Sequence, residues 1–225
     1  MTKVYPNAGA ATGTALTGAS EPERQQQLVE SESVVLTVWK KSLLFNCDGF
    51  TVFDAKGNLV FRVDNYAAGS KGEISLMDAS GTSLLTIRRK RMTLGDNWLV
   101  FEGENTVNPQ LSARKHVNLL NTRSLVQVSS GGSASAGSSS STDSSPRTKN
   151  AMYEIEGSYA QRCCAVYDEK RRRVAEIKRK EAVRGVAFGA DVFRLVVQPE
   201  VDSAIAMALV ILLDQMYGSS RRFST

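Results

Sequence analysis

Residues Ser203-Ala-Ile-Ala-Met-Ala-Leu-Val-Ile-Leu-Leu213 are apolar on every side of any helix they form, and a strand-like run, Val192 to Val197, precedes them. A surface helix carries one apolar stripe opposite a polar face, so a helix apolar all round must be enclosed by protein or by lipid. Length decides for protein. Only eleven residues lie between Asp202 and Asp214, about 16 Å of helix, whereas roughly 20 apolar residues are needed to cross a hydrocarbon core of about 30 Å. Asp202 or Ser203 is placed to cap the free N–H groups at the start, and Gly218 to end the helix in the left-handed conformation after Tyr217. Burying about ten such side chains is worth roughly 15–30 kcal/mol before ordering entropy is subtracted, more than a domain's net stability. The segment is therefore expected to be the core of whatever forms around it.

The surrounding wall is written as hairpins. Phe50-Thr-Val-Phe-Asp-Ala-Lys-Gly-Asn-Leu-Val-Phe-Arg-Val63 and Ile74-Ser-Leu-Met-Asp-Ala-Ser-Gly-Thr-Ser-Leu-Leu-Thr-Ile87 share one pattern: alternating strand, Asp, two residues, Gly, second strand. Asp54 and Asp78 are suited to bonding the turn backbone, and Gly57 and Gly81 to a positive φ, so these carboxylates have a structural role rather than a catalytic one. Cys164-Ala-Val-Tyr-Asp-Glu-Lys-Arg-Arg-Arg-Val-Ala-Glu-Ile177 repeats the pattern with Arg171 in the glycine position. Further strands are predicted at Leu36 to Lys40, Leu43 to Phe45, Trp98 to Glu102, Leu111 to Val117, Leu125 to Val128, Met152 to Tyr159 and Val183 to Phe188. So many antiparallel strands and one wholly apolar helix predict a mainly β fold, a closed barrel with the helix as its plug, because closure removes sheet edges and the helix fills the interior.

Residues 1 to about 31, rich in Ala, Gly, Thr and Gln, read as a disordered leader, and residues 219–225 as a tail. Between them, 32–218 form one domain. A Ser-rich stretch at 129–150, beginning Ser129-Ser-Gly-Gly-Ser-Ala-Ser-Ala, cannot bury apolar surface and reads as a flexible insert within it, since the same hairpin unit lies on both sides.

The chain of 225 residues carries a formal charge of +5, with 42% hydrophobic and 23% charged residues, an ordinary globular composition. Three cysteines, Cys47, Cys163 and Cys164, are too few for a disulfide framework. Met1 to Ala19 lacks a continuous apolar stretch, Thr2 replaces the glycine of a myristoylation signal, and Phe223-Ser-Thr225 is no prenylation box. No Asn-x-Ser/Thr acceptor occurs. An intracellular location is expected, cytoplasmic or nuclear, with peripheral attachment at the plasma membrane allowed and transmembrane insertion not.

Several stretches together resemble the plant LURP-one-related family. They are Phe50 to Tyr66, Leu76-Met-Asp-Ala-Ser-Gly81, Tyr153-Glu-Ile-Glu-Gly-Ser-Tyr159, Val174-Ala-Glu-Ile-Lys-Arg-Lys180, Asp191-Val-Phe-Arg-Leu-Val-Val-Gln-Pro199 and Asp202 to Met216. The resemblance implies the fold of the Tubby C-terminal domain and of phospholipid scramblases: about twelve strands closed around a C-terminal helix. It also implies association with plant defence, and, by analogy of fold with Tubby-like proteins, phosphoinositide binding through basic residues. No Tubby lipid-binding motif is matched residue by residue, so this last implication rests on the fold alone.

Chemistry in the residues favours binding over catalysis. The single histidine, His116, falls on a strand opposite Val117, and with no Cys-x-x-Cys pair ordinary zinc sites lack ligands. Cys163 and Cys164 point to opposite faces of one strand, so they do not converge on an ion. A couple of His116 with one of them is geometrically conceivable, although buried structural cysteine is the usual outcome. Gly69-Ser-Lys-Gly72 is no phosphate loop. No cofactor, metal or catalytic residue is expected.

Positive charge is clustered in Arg88-Arg-Lys-Arg91, Lys170-Arg-Arg-Arg173 and Lys178-Arg-Lys180. Alternation sends Arg88 and Lys90 outward if Leu85 and Ile87 face in, and Lys178 and Lys180 outward if Ala175 and Ile177 do. With Arg171, Arg172 and Arg173 they are the candidate anion patch. The alternative is solvated strand edges and turns. The expected partner is an acidic phospholipid headgroup or a protein, bound by a monomer. A pure protein-interaction scaffold and a nucleic-acid-associated regulator are the alternatives, the latter lacking interleaved stacking residues. Ser145-Pro146-Arg147 resembles a proline-directed phosphorylation site; an unmodified spacer is the alternative.

Overall fold

The computed structural model describes residues 33–44, 47–66, 72–90, 95–105, 107–116, 123–131, 151–182 and 188–218. Within the compact unit Ser33–Thr225 the strands are β1 (Val34–Trp39), β2 (Cys47–Phe53), β3 (Leu59–Tyr66), β4 (Glu73–Asp78), β5 (Ser83–Arg89) and β6 (Asn97–Glu102). The second half supplies β7 (Leu111–Lys115), β8 (Ser124–Ser130), β9 (Ala151–Ser158), β10 (Cys163–Asp168), β11 (Arg173–Arg179), β12 (Val192–Val197) and the helix α1 (Ser203–Tyr217).

All twelve strands pair antiparallel with their sequence neighbours, and β1 pairs with β12, from Val34↔Val197 to Trp39↔Val192, to close the barrel. Every strand sends apolar residues inward. Leu36 and Val38 of β1, Leu76 of β4, Ile87 of β5, Val126 and Val128 of β8, Ile177 of β11 and Phe193 and Leu195 of β12 share one core with α1. Residues Ala206 to Leu213 are all buried, so the helix is enclosed on every side by the wall. None of the described helices is long and apolar enough to cross a membrane.

The caps of α1 are half as expected. Asp202 accepts hydrogen bonds from the N–H groups of Ala204 (2.6 Å) and Ile205 (3.2 Å). At the other end Gly218 is not left-handed: its φ is −68° and ψ 131°, and its N–H donates to Asp214 O at 2.8 Å. Glycine is needed there for space, since a Cβ would lie 2.4 Å from Asp214 O.

Two predicted strands are corrected, and a third is tested only at its last residue. Leu43 and Leu44 belong to an irregular segment in which the Leu44 N–H donates to Ser42 Oγ (3.0 Å), a local bond that competes with strand pairing. β7 ends at Lys115, so His116 lies beyond it. Phe188 is outside any strand, and 183–187 lie outside the described residues. The Ser-rich insert begins later than its composition suggests: Ser129 and Ser130 belong to β8, and Gly131 N–H donates to Gln110 O (3.0 Å). Residues 132–150, with Ser145, lie outside the described residues, as do 1–32 and 219–225.

Candidate functional site

The three repeated hairpins close in the same way. Asp54 Oδ1 accepts from the N–H groups of Lys56 and Asn58, both at 2.8 Å, and Asp168 Oδ1 from those of Lys170 (2.9 Å) and Arg172 (2.8 Å). Asp78 Oδ1 takes the Thr82 N–H (2.9 Å) and the Ser80 hydroxyl (2.6 Å). These donors hold all three carboxylates in their turns. At Asp54 the Asn58 side-chain amide and then its N–H depress the pKa; at Asp78 the Ser80 hydroxyl and then the Thr82 N–H do so. Each hairpin carries a bulge just before its Asp: between Val52 and Phe53, Leu76 and Met77, Val166 and Tyr167. The turn residue is Gly57 at φ 87° and Gly81 at φ 94°, but Arg171 at φ 61°. The third hairpin therefore carries its own guanidinium side chain at the turn position where its sisters have glycine. It is held by Glu154 (2.7 Å) and Glu156 (2.8 Å) and lies 4.7 Å from the Tyr167 ring centroid.

That pairing sets the tone for the predicted cations. Arg88 bonds Glu73 (2.7 Å), Arg172 bonds Asp168 (2.7 Å), and Arg173 and Lys178 share Glu176 (both 3.1 Å). With Arg171, these candidates are thus held by carboxylates, two of them by a single one. The structure also separates them: β5 and β11 are six places apart in a ring of twelve, so Arg88 and Lys90 lie across the barrel from Lys178 and Lys180. The four do not form one patch. Local alternation gave each side chain its outward direction, and only the ring order could place the two strands on opposite sides.

One half of the predicted patch gains neighbours instead. Lys178 lies opposite Arg194 across the β11–β12 pair, and Arg194 opposite Thr37 across β12–β1. Arg194 alternates with the buried Phe193 and Leu195, so it faces outward. Lys180 Nζ reaches Thr37 Oγ1 at 3.2 Å and lies 5.3 Å from the Phe188 ring centroid. Neither Lys180 nor Arg194 has a carboxylate partner among the described residues. Two cations and a hydroxyl therefore converge on the outer face of β11, β12 and β1. Glu181 and Asp191 are exposed at the strand ends bounding it. Arg194 and Thr37 were not among the sequence candidates. The alternation of Val192 to Val197 signals the direction of Arg194, but its partner comes from the opposite end of the chain.

Polar groups at the C-terminal end of α1 are occupied by structure. Asp214 Oδ1 accepts from Tyr159 Oη (3.1 Å) and pairs with Lys40 Nζ (2.8 Å), while Lys115 Nζ donates to Met216 O (2.8 Å). The helix has no basic residue in its last turn, so barrel lysines supply the positive charge its carbonyl end favours. Burial, with Asp214 nearby, raises the Tyr159 pKa and keeps the phenol protonated. Arg162, at φ 52°, stacks between the Tyr159 and Phe193 rings and donates from Nε to Ala190 O (2.8 Å). Cys163 is exposed and Cys164 buried, on opposite faces as alternation requires, and burial pushes the Cys164 thiol up to about 12. His116 donates its backbone N–H to Leu125 O (2.8 Å). No group of three or more metal-ligating side chains occurs among the described residues.

Comparison with known proteins gives the lineage. The sequence profile of the LURP-one-related family matches residues 34–214. Protein LURP-one-related 8 of Arabidopsis thaliana is 52% identical over 201 residues, covering 87% of this chain and 94% of that protein. Protein LURP-one-related 17 of the same plant is 44% identical over 196 residues, covering 81% and 82%. A crystal structure of another Arabidopsis thaliana protein superposes with a TM-score of 0.56 over 81% of this chain and 90% of that one, and at 24% identity it supports the fold alone. The extent of these matches, reaching from the strand that closes the barrel to the helix that fills it, places the chain in the LURP-one-related family.

Proposed function

We propose that the protein is a non-enzymatic signalling or adaptor module, acting in plant defence, that recognises an acidic phospholipid headgroup through the outer face of β11, β12 and β1. The observation that supports this reading is Lys180 bonded to the Thr37 hydroxyl beside Arg194, the cross-strand neighbour of Thr37, with no carboxylate paired to either cation among the described residues. The filled interior supports it as well: with Ala206 to Leu213 buried against the wall, the space that many barrels give to a ligand is taken by side chains. A non-catalytic role fits the structural employment of Tyr159, Asp214 and Lys40.

At about 1 kcal/mol per charge near an anionic surface, Lys180 and Arg194 supply about 2 kcal/mol, an affinity of tens of millimolar by themselves. A second reading, a protein-interaction scaffold without lipid binding, draws on the ion pairs that balance most of the other cations. Co-sedimentation with phosphoinositide-containing vesicles separates the two. Lys180→Ala with Arg194→Ala should weaken binding about thirtyfold, as two charges at about 1 kcal/mol each require. Arg88→Ala with Lys90→Ala, across the barrel, should change it less than about twofold. Equal loss in both pairs sinks the assigned face, absence of lipid binding favours the scaffold, and salt-sensitive binding of DNA instead favours a nucleic-acid regulator.

A further inference from the structure

Four of the large exposed apolar side chains lie at or next to one end of the assigned face, while Val107 and Met152 lie elsewhere on the barrel. Trp39 is 39% exposed, Leu43 52%, Leu44 37% and Phe188 39%, whereas Val34, also exposed, sits at the far end of β1. Two lysines tie the aromatic members to the cationic face. Lys41 Nζ lies 5.1 Å from the Trp39 ring centroid, and Lys180 Nζ, bonded to Thr37, lies 5.3 Å from that of Phe188. Trp39 follows Thr37 by two residues on the same outward side of β1, and the chain then turns through Lys41 into Leu43 and Leu44. An apolar lip with lysines lying along its rings is the arrangement of a surface that meets headgroups and acyl chains together. It also answers the shortfall in electrostatic affinity, because a few partly inserted apolar side chains add what a few charges cannot.

We propose that this lip, Trp39, Leu43, Leu44 and Phe188, inserts into the surface of an anionic bilayer while Lys41 and Lys180 meet its phosphates. The proposal rests on the anion-binding reading above and gives that face its partner: a membrane surface rather than a free headgroup. Tryptophan supplies the readout, since Trp39 is exposed and Trp98, at 5% exposure, is shielded in the core.

The full chain is mixed with vesicles of equimolar phosphatidylcholine and phosphatidylserine carrying brominated acyl chains, and with soluble inositol hexakisphosphate in a separate arm. Insertion predicts that bromine quenches the emission of the wild type and that Trp39→Phe, which keeps an aromatic ring, still binds without the quenching. Trp39→Ser and Phe188→Ser should each weaken vesicle binding about tenfold and leave hexakisphosphate binding unchanged. Vesicle binding without quenching, unaffected by the serine substitutions, overturns insertion and leaves the anion face standing. A dimer that Trp39→Ser dissolves, with no quenching on vesicles, overturns insertion in favour of a second copy of the chain. Failure to bind both vesicles and hexakisphosphate overturns the two proposals together.

Discussion

Ile177 and Lys178 are adjacent in β11 and live in different chemistries. Ile177 is buried against α1, and Lys178 stands outside with Glu176, opposite Arg194. The same division repeats at Cys164 and Cys163, and at Ile87 and Arg88. Inside the wall, every position is fixed by close packing around one helix, and the free energy comes from apolar area. Outside, positions are fixed by charge pairing in water, where an exposed ion pair is worth about 0.2–1 kcal/mol. The contrast teaches that this barrel commits its interior to packing, while its outer face is organised by charge pairing.

Three measurements probe that contrast beyond the two binding experiments above. The largest effect is expected inside: Leu212→Ala, at a fully buried helix position, should cost about 2–5 kcal/mol in urea unfolding, because the enclosing wall cannot collapse onto the gap. A smaller one follows from the neighbouring thiols. Cys164 has its pKa raised from 9.0 to about 12 by burial, so its contribution is fully present below pH 9.0 and is lost as the pH rises through about 12. Cys163 should accept iodoacetamide in the native protein at pH 8 while Cys164 does so only in denaturant; equal labelling would break the inside–outside division at this strand. The smallest effect belongs outside. Arg171→Gly relieves a non-glycine residue at φ 61° and removes two exposed ion pairs, opposing changes that should leave stability within about 1 kcal/mol. A loss above about 2 kcal/mol would show that this outer charge network is built into the fold.

Legibility in the sequence followed the range of the interaction. The hairpins at Asp54, Asp78 and Asp168 were readable because carboxylate, turn residue and flanking alternation all lie within a dozen residues. The positive φ of Arg171 was readable for the same reason, by its place in the repeat. Leu43 and Leu44 misled, since two apolar residues after a strand resemble another strand until the Ser42 hydroxyl is seen to take the Leu44 N–H. Gly218 was correctly marked as the end of α1 for the wrong reason: Asp214 O leaves no room for a Cβ, and the backbone stays extended.

The candidate site was less legible than the fold. The outward direction of Lys178 and Lys180 follows from period two, but their separation from Arg88 and Lys90 requires the order of twelve strands around a ring. The ion pairs of Arg171 with Glu154 and Glu156 join adjacent hairpins across the β9–β10 pair. The approach of Lys180 to Thr37 spans 143 residues of chain.

By itself, the sequence determined that an apolar helix must be enclosed, that hairpins would do the enclosing, and which side of each strand would meet water. These depend on local periodicity and on the cost of leaving apolar surface in solvent. Only the tertiary structure decided which outer residues meet, because closure of β1 onto β12 brings Thr37, Arg194 and Lys180 together from distant parts of the chain. Unpaired charge is a property of neighbours in space, and no local pattern in the chain records who those neighbours are.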